Sequence, residues 1–371
     1  MTLQLSTRRI PDARHTGNRP PKGLSMFVAI RDLRRARGRF ALITLVVVLV
    51  SVLVTFLGGL TAGLRHQNIS ALQSLPGSMI VFADTGSAPS FDQSVLTTSQ
   101  IAIWQHRAED VVPVGISRDR ATSTTHTDPM PVVLFGLGGN GRPVTGTVDV
   151  AAPIASSLGL RGGQAIQVGG RTMTVGRIVG DQWYAHSPVI YLPIDTWRDL
   201  APQFGAATVL AVTPRVGTDT QSVAASSGTT IRSGSDALSA LASYSAENSS
   251  LTLMTVMLLL ISALVIGAFF TVWTVQRVPD IAVLKALGAS TASLVRDALG
   301  QAVLILVVGC GLGVAVAVGG GTLLGSIPFV VTASTTLLPA LATIGLGVLG
   351  AGAALRFLIT TDPLTALGSN R

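Results

Sequence analysis

The stretch Gln276–Ser290, QRVPDIAVLKALGAS, is a polar, helix-punctuated island inside an otherwise apolar C-terminal third. Leu251 to Val275 upstream and Ala298 to Gly325 downstream are each long and apolar enough to cross a bilayer, so the island is a short loop on one membrane face. Its own pattern is that of a small helix. Pro279 suits the first turn with Asp280 beside it, and Ile281, Leu284 and Leu287 fall on one face. Gly288 is a stop, and Ser290 is the N-cap of the next helix. An apolar stripe on such a loop is shaped to sit in the groove of a soluble partner.

Around this island, 371 residues with a mean hydropathy of +0.56 and only 12% charged side chains make a chain too apolar for an ordinary soluble domain. It is also too long for a bare membrane bundle, so it divides between bilayer and water. The formal charge of +8 would suggest nucleic acid if it were spread over a soluble surface. It is not spread. Ten basic and two acidic residues precede the first apolar run, and the 276–297 loop and the C-terminal flank add a smaller positive excess. The segment Arg65–Glu247 is slightly acidic. By the positive-inside rule the N-terminus, the loop and the C-terminus are cytoplasmic, and nucleic acid becomes unnecessary. The single cysteine, Cys310, lies in an apolar run, so an external domain must hold itself by its own core.

Taken in order, residues 1–23 read as a flexible cytoplasmic tail and 24–39 as an amphipathic interfacial helix, with Phe27, Ile30 and Leu33 among arginines. Four spans follow at 40–65, 248–275, 298–325 and 336–358, with an uncharged external turn at 326–335 and a cytoplasmic tail at 359–371. Gly59 and Gly63 offer close helix packing near the outer end of the first span. Residues 66–247 lose the apolar runs and gain turn residues, which predicts an extracytoplasmic α+β domain between the first two spans. Strands are expected at 78–83, 132–135, 164–168, 171–179 and 188–192. Helices are expected at 151–158, after an N-cap at Ser99, and over 236–250, leading into the second span. The fold class is thus an integral membrane α-helical protein of four transmembrane helices with an inserted α+β domain.

The residues Arg277, Asp280, Ile281, Ala282, Leu284, Lys285, Ala286, Leu287, Gly288 and Ala289 resemble the cytoplasmic coupling segment of the FtsX/MacB-type ABC transporter permeases. Asp362-Pro363-Leu364-Thr365-Ala366-Leu367 resembles the closing segment of that family, and Ile30–Arg35 the segment before its first span. Ala155–Gly163 resembles part of its periplasmic domain, with Gly163 where the family often has Asp. The resemblance implies a bacterial cytoplasmic-membrane permease that forms a homodimer and pairs with two copies of a separate ATPase. That ATPase binds ATP and Mg, and Arg277, Asp280, Ile281, Leu284, Lys285, Leu287 and Gly288 serve as coupling residues. Motion, rather than a through-membrane channel, would do the work.

The residues agree that catalysis belongs elsewhere. The only lysines, Lys22 and Lys285, stand outside any P-loop pattern, so this chain is not the ATPase. The cluster Gly136–Gly141 reads as a turn. The five histidines show no zinc spacing, and no serine-hydrolase elbow occurs, so no intrinsic metal or cofactor is expected. One constellation remains, at the outer membrane boundary. Glu247 lies on the helix entering the second span, with Tyr244 three residues before it and Leu251 and Met254 continuing the face. It is either an interfacial glutamate kept in headgroup water or a polar anchor for an amphiphile, with His66 as a neighbour. The haem-export (Hrt-type) permeases share the four-span layout, and Tyr244, Glu247 and His66 are residue types able to ligate iron. Haem is therefore the leading substrate. The alternatives are a signalling permease of the cell-division type acting on an external wall hydrolase, and lipoprotein, lipid or drug export.

Overall fold

The structure, a computed structural model, describes residues 37–139, 143–278, 283, 285, 287–323 and 327–360. The expected N-terminal tail, nearly all of the expected C-terminal tail and of the interfacial helix, and the coupling residues Asp280, Ile281 and Leu284 lie outside the described residues. The chain divides into two compact units, one comprising the described residues up to Leu49, Ala263–Leu312 and those from Ile344 onward, the other Val50–Ser262 and Gly313–Thr343.

The first helix, α1 (Arg37–Gln73), runs well past the end expected for the span. Its later residues His66, Gln67, Asn68 and Ser70 are polar, so the same helix leaves the apolar phase and enters the inserted domain. That domain follows as β1 (Met79–Ala83), α2 (Thr98–Arg107), β2 (Ala108–Ser123), β3 (Met130–Leu137), β4 (Thr147–Ala151), α3 (Ala152–Leu158), β5 (Ala165–Val168) and β6 (Arg171–Val179). It continues with β7 (Trp183–Tyr184), β8 (Ser187–Pro193), α4 (Ile194–Leu200), β9 (Val209–Pro214), α5 (Thr220–Ser227), β10 (Thr229–Ser233) and α6 (Gly234–Ser239).

The strands form one mixed sheet in the order β10-β1-β9-β2-β3-β8-β4-β6-β5, and the far end of β2 also pairs with β5. Most neighbours are antiparallel. The β3–β8 and β4–β6 pairs are parallel, which an α+β domain permits because helices return the chain between them. The expected 165–168/171–179 hairpin is present, turning through Gly169 and Gly170, both at positive φ. The expected helix at 151–158 ends on Gly159 in the left-handed conformation.

Three local expectations are corrected. The N-cap of α2 is Thr97, whose side chain accepts from the Gln100 amide in a reciprocal capping box, rather than Ser99. The Gly136–Gly141 cluster, expected as a turn, begins inside β3 with Gly136 and Leu137, and its last two residues lie outside the described residues. Residues 236–250 form two helices rather than one: α6 ends before Ala240, and Ala240 and Leu241 bury into the core before α7 (Ala242–Gln276) starts.

After α7 come α8 (Thr291–Leu323) and α9 (Ala333–Thr360); with α1, these are the four helices among the described residues long and apolar enough to cross a membrane. Gly288 at φ +91 and Ser290, whose hydroxyl accepts from the Ser293 amide, end the loop and start α8 as the sequence predicts.

Within the first unit, glycines let helices touch. Gly309 lies against Val47, Gly347 against Leu306 and Ile266, and Gly350 against the Gly267 backbone. In the second unit, Gly59 and Gly63 serve a different contact. A β-carbon at either would overlap Phe329 or Pro328 in the segment before α9, and the Val330 amide donates to the Gly59 carbonyl at 3.2 Å. Phe329 also stacks on Phe56 at 5.4 Å.

Candidate functional site

The site grows from a strained turn. Strands β7 and β8 pair with Tyr184 opposite Ser187, so Ala185 and His186 form a two-residue hairpin loop. Both have positive φ, 47° and 61°, the signature of a type I′ turn that glycine and asparagine normally occupy. Holding alanine and histidine there costs about 1–3 kcal/mol each, so surrounding contacts must over-determine the turn.

Those contacts come from two helices. The Ala185 amide donates to the Asn68 carbonyl and the His186 amide to the Gln67 carbonyl, both at 2.9 Å. The Trp183 amide donates to Ser70 Oγ at 2.8 Å. Thus α1 grips the hairpin tip along its backbone.

On the other side stands α7. Glu247 receives His186 Nε2 at 2.9 and 3.0 Å on its two oxygens and Asn68 Nδ2 at 3.1 Å. Asn68 is buried, and its Oδ1 accepts from the Ser243 hydroxyl at 2.8 Å, so its amide is fixed at both ends. The His186 and Glu247 side chains remain 34% and 39% exposed, enough for a ligand to reach them. A second imidazole–carboxylate pair uses the same two segments: His66 Nε2 on α1 meets Asp181 Oδ2, just before β7, at 3.1 Å, and Asp181 Oδ1 accepts from the Trp183 indole at 2.6 Å.

The sequence-predicted residues therefore separate. Glu247 is central. His66, expected beside it, pairs with Asp181 instead, because His186 on the hairpin takes that place. Tyr244 packs against the core cluster of Phe91, Tyr184, Tyr191 and their neighbours. Leu251 is half-buried, whereas Met254 is exposed and continues into an outward apolar face with Met257 and Ile261. His186 was not singled out by spacing, since it lies far from Glu247 in sequence. Its one signal is a histidine inside an Ala-His turn between two aromatic-rich strands.

Behind the turn, burial pushes the phenols of Tyr184 and Tyr191 up, so both are neutral at pH 7. Tyr191 reaches Ser74 Oγ at 3.3 Å, whereas the buried Tyr184 hydroxyl has no hydrogen-bond partner among the described residues. Arrangements of this kind hold and orient. Two imidazole–carboxylate pairs can accept protons or present nitrogen and oxygen ligands, and among the described residues no three such groups gather into a metal site.

Residues 252–363 match the family described as FtsX-like permease C-terminal. A protein of Staphylococcus haemolyticus named as a hemin transport system permease protein, HrtB, is 26% identical over 356 residues, covering 92% of this chain and 99% of that one. An ABC transporter permease of Mycobacterium bovis is also 26% identical, with the same coverage. Among solved structures, the periplasmic region of MacB from Actinobacillus actinomycetemcomitans aligns with a TM-score of 0.35 at 15% identity, over 46% of this chain and 93% of that one. Residues 252–363 thus resemble the C-terminal part of FtsX-like permeases, and the chain is similar along nearly all of its length to ABC transporter permeases.

Proposed function

We propose that this permease works as a dimer with two copies of a cytoplasmic ATPase and expels an amphiphile, haem first among candidates, from the outer leaflet or the external side of the cytoplasmic membrane. The observation that carries this is the half-exposed His186–Glu247 pair at the root of α7, directly preceding the outward apolar face of Met254, Met257 and Ile261. A planar amphiphile needs that combination, an apolar wall beside a ligand for its polar centre. Imidazole and carboxylate both suit haem iron, and one partner of the pair can turn to the iron while the other holds it in orientation. The coextensive likeness to relatives named for hemin transport supports the substrate class.

Haem titrated into the purified protein should give a saturable Soret band. His186→Ala and Glu247→Ala should shift or weaken it, and cells carrying either should become haem-sensitive with the ATPase still bound. No saturable binding by the parent protein would reject haem as the substrate. Unchanged spectra and full haem tolerance in both variants would reject the site.

The domain faces outward and both termini face the cytoplasm in this reading, which rests on the basic excess of the flanks. Ser123 is a poor reporter for this, because it is buried and donates to the Leu158 carbonyl. Thr127 is exposed. A cysteine at Thr127 should therefore react with an impermeant maleimide in whole cells, and one at Ser369 only after lysis. The opposite pattern would invert the topology.

A further inference from the structure

Arg277 begins the loop between α7 and α8, and its side chain is committed inward. Its guanidinium lies 4.9 Å over the Trp273 ring, and Nη1 donates to Gln301 Oε1 on α8. Gln301 is only 3% exposed. Its Nε2 donates to Asp297 Oδ2 at 3.1 Å, so the buried amide is used at both ends. Trp273 is itself buried, edge-on to Phe270 at 6.0 Å and to Phe40 near the start of α1 at 6.3 Å. The platform under the guanidinium therefore cannot swing away freely.

We propose that Arg277, Gln301 and Asp297 form a latch that carries displacement of the loop into α8, making Arg277 a positioning residue inside the permease rather than a contact for the ATPase. This rests on the permease reading above. The physical argument is one of stiffness. A loop fixed only by its peptide ends would absorb a push by bending. This one is anchored at its first residue through a charge-assisted hydrogen bond to a buried amide, and at its end by the Ser290 cap on α8. Pulling Arg277 away leaves the Gln301 carbonyl oxygen buried without its donor, so α7 and α8 move together instead.

The test uses the purified complex with its ATPase. ATPase stoichiometry is measured alongside the difference in deuterium uptake of the inserted domain between nucleotide-free and vanadate-trapped states. Arg277→Ala, Gln301→Ala and the double variant should all keep the ATPase bound. Each should shrink the nucleotide-dependent difference at least fivefold, the double variant no further than either single one. Asp297→Asn, which keeps an acceptor for the Gln301 amide and leaves the Arg277 bond in place, should retain the difference.

Loss of the ATPase in Arg277→Ala but not in Gln301→Ala would make Arg277 a direct contact and overturn the latch. A wild-type difference in both single variants would overturn it too, as would independent, multiplying losses in the double variant. Should Arg277→Ala fail to insert, Gln301→Ala and Asp297→Asn decide the matter alone. Two further outcomes separate the levels: a parent protein that holds no ATPase would reject the permease–ATPase reading, whatever the latch variants do, and an ATPase still bound by Leu287→Asp would take the loop out of the interface.

Discussion

Replacing Leu287 with aspartate is expected to abolish copurification of the ATPase while the permease still reaches the membrane in normal amount. Leu287 is 80% exposed and Val283, one helical turn before it, 61%, so two large apolar side chains stand outward on a loop of only about a dozen residues. Exposed pairs of that kind mark a binding surface, and a charge placed in the centre of such an interface typically weakens association by at least ~2 kcal/mol, roughly 30-fold. Pull-down from detergent-solubilised membranes, with permease quantified by immunoblot, checks both halves of the result. An undiminished complex would remove the loop from the interface.

Replacing Trp197 with alanine should cost the inserted domain about 3–5 kcal/mol, the usual range for emptying a fully buried tryptophan site. The site is specific. Gly115 of β2 and Gly136 of β3 are register partners, and a β-carbon on either would overlap the indole, so the sheet carries a two-glycine notch into which α4 lays its tryptophan. The ring is completely buried, and its Nε1 donates to Ser117 Oγ at 2.9 Å. The loss therefore removes packing area and also strands a buried hydroxyl. Limited proteolysis of membrane vesicles across a urea series should show the inserted domain of Trp197→Ala cleaved at concentrations where the parent is intact. Equal resistance would mean the notch closes over the gap.

The four apolar helices were legible because length and mean hydropathy are averages over many residues, and single substitutions hardly disturb them. The inserted domain was legible in patches. Residues 150–193 announce themselves through Gly159, Gly169 and Gly170 between β-branched runs. The longest strand, β2, does not. Pro113 and Gly115 interrupt its apolar half, and Ser117–Arg120 make the other half polar, so local propensity argues against a strand that pairing with β3 and β9 enforces. Likewise the break at Ala240–Leu241 follows from core packing, which no helical periodicity over 236–250 reveals.

The candidate site divides the same way. Glu247 stood out by rarity, since the chain has only two glutamates, and Tyr244 by its spacing from Glu247. Its actual partner, His186, depends on where a hairpin folds back, and only the fold supplies that. At the loop between α7 and α8, the sequence grouped Arg277 with the outward coupling residues because they form one string. The three-dimensional contacts of Arg277 point to its own helices.

The Ala185–His186 hairpin tip bears on how such a protein switches. A turn that prefers glycine but is built from alanine and histidine is a shallow basin, stable only while its clasp is closed. Strain of about 1–3 kcal/mol per residue offsets part of what docking contributes, so the clasp holds the tip by that much less than it would hold an unstrained turn. Each ~1.4 kcal/mol changes the closed-to-open ratio tenfold. An Asn-Gly tip would remove that strain and tighten the clasp; the native pair leaves it looser.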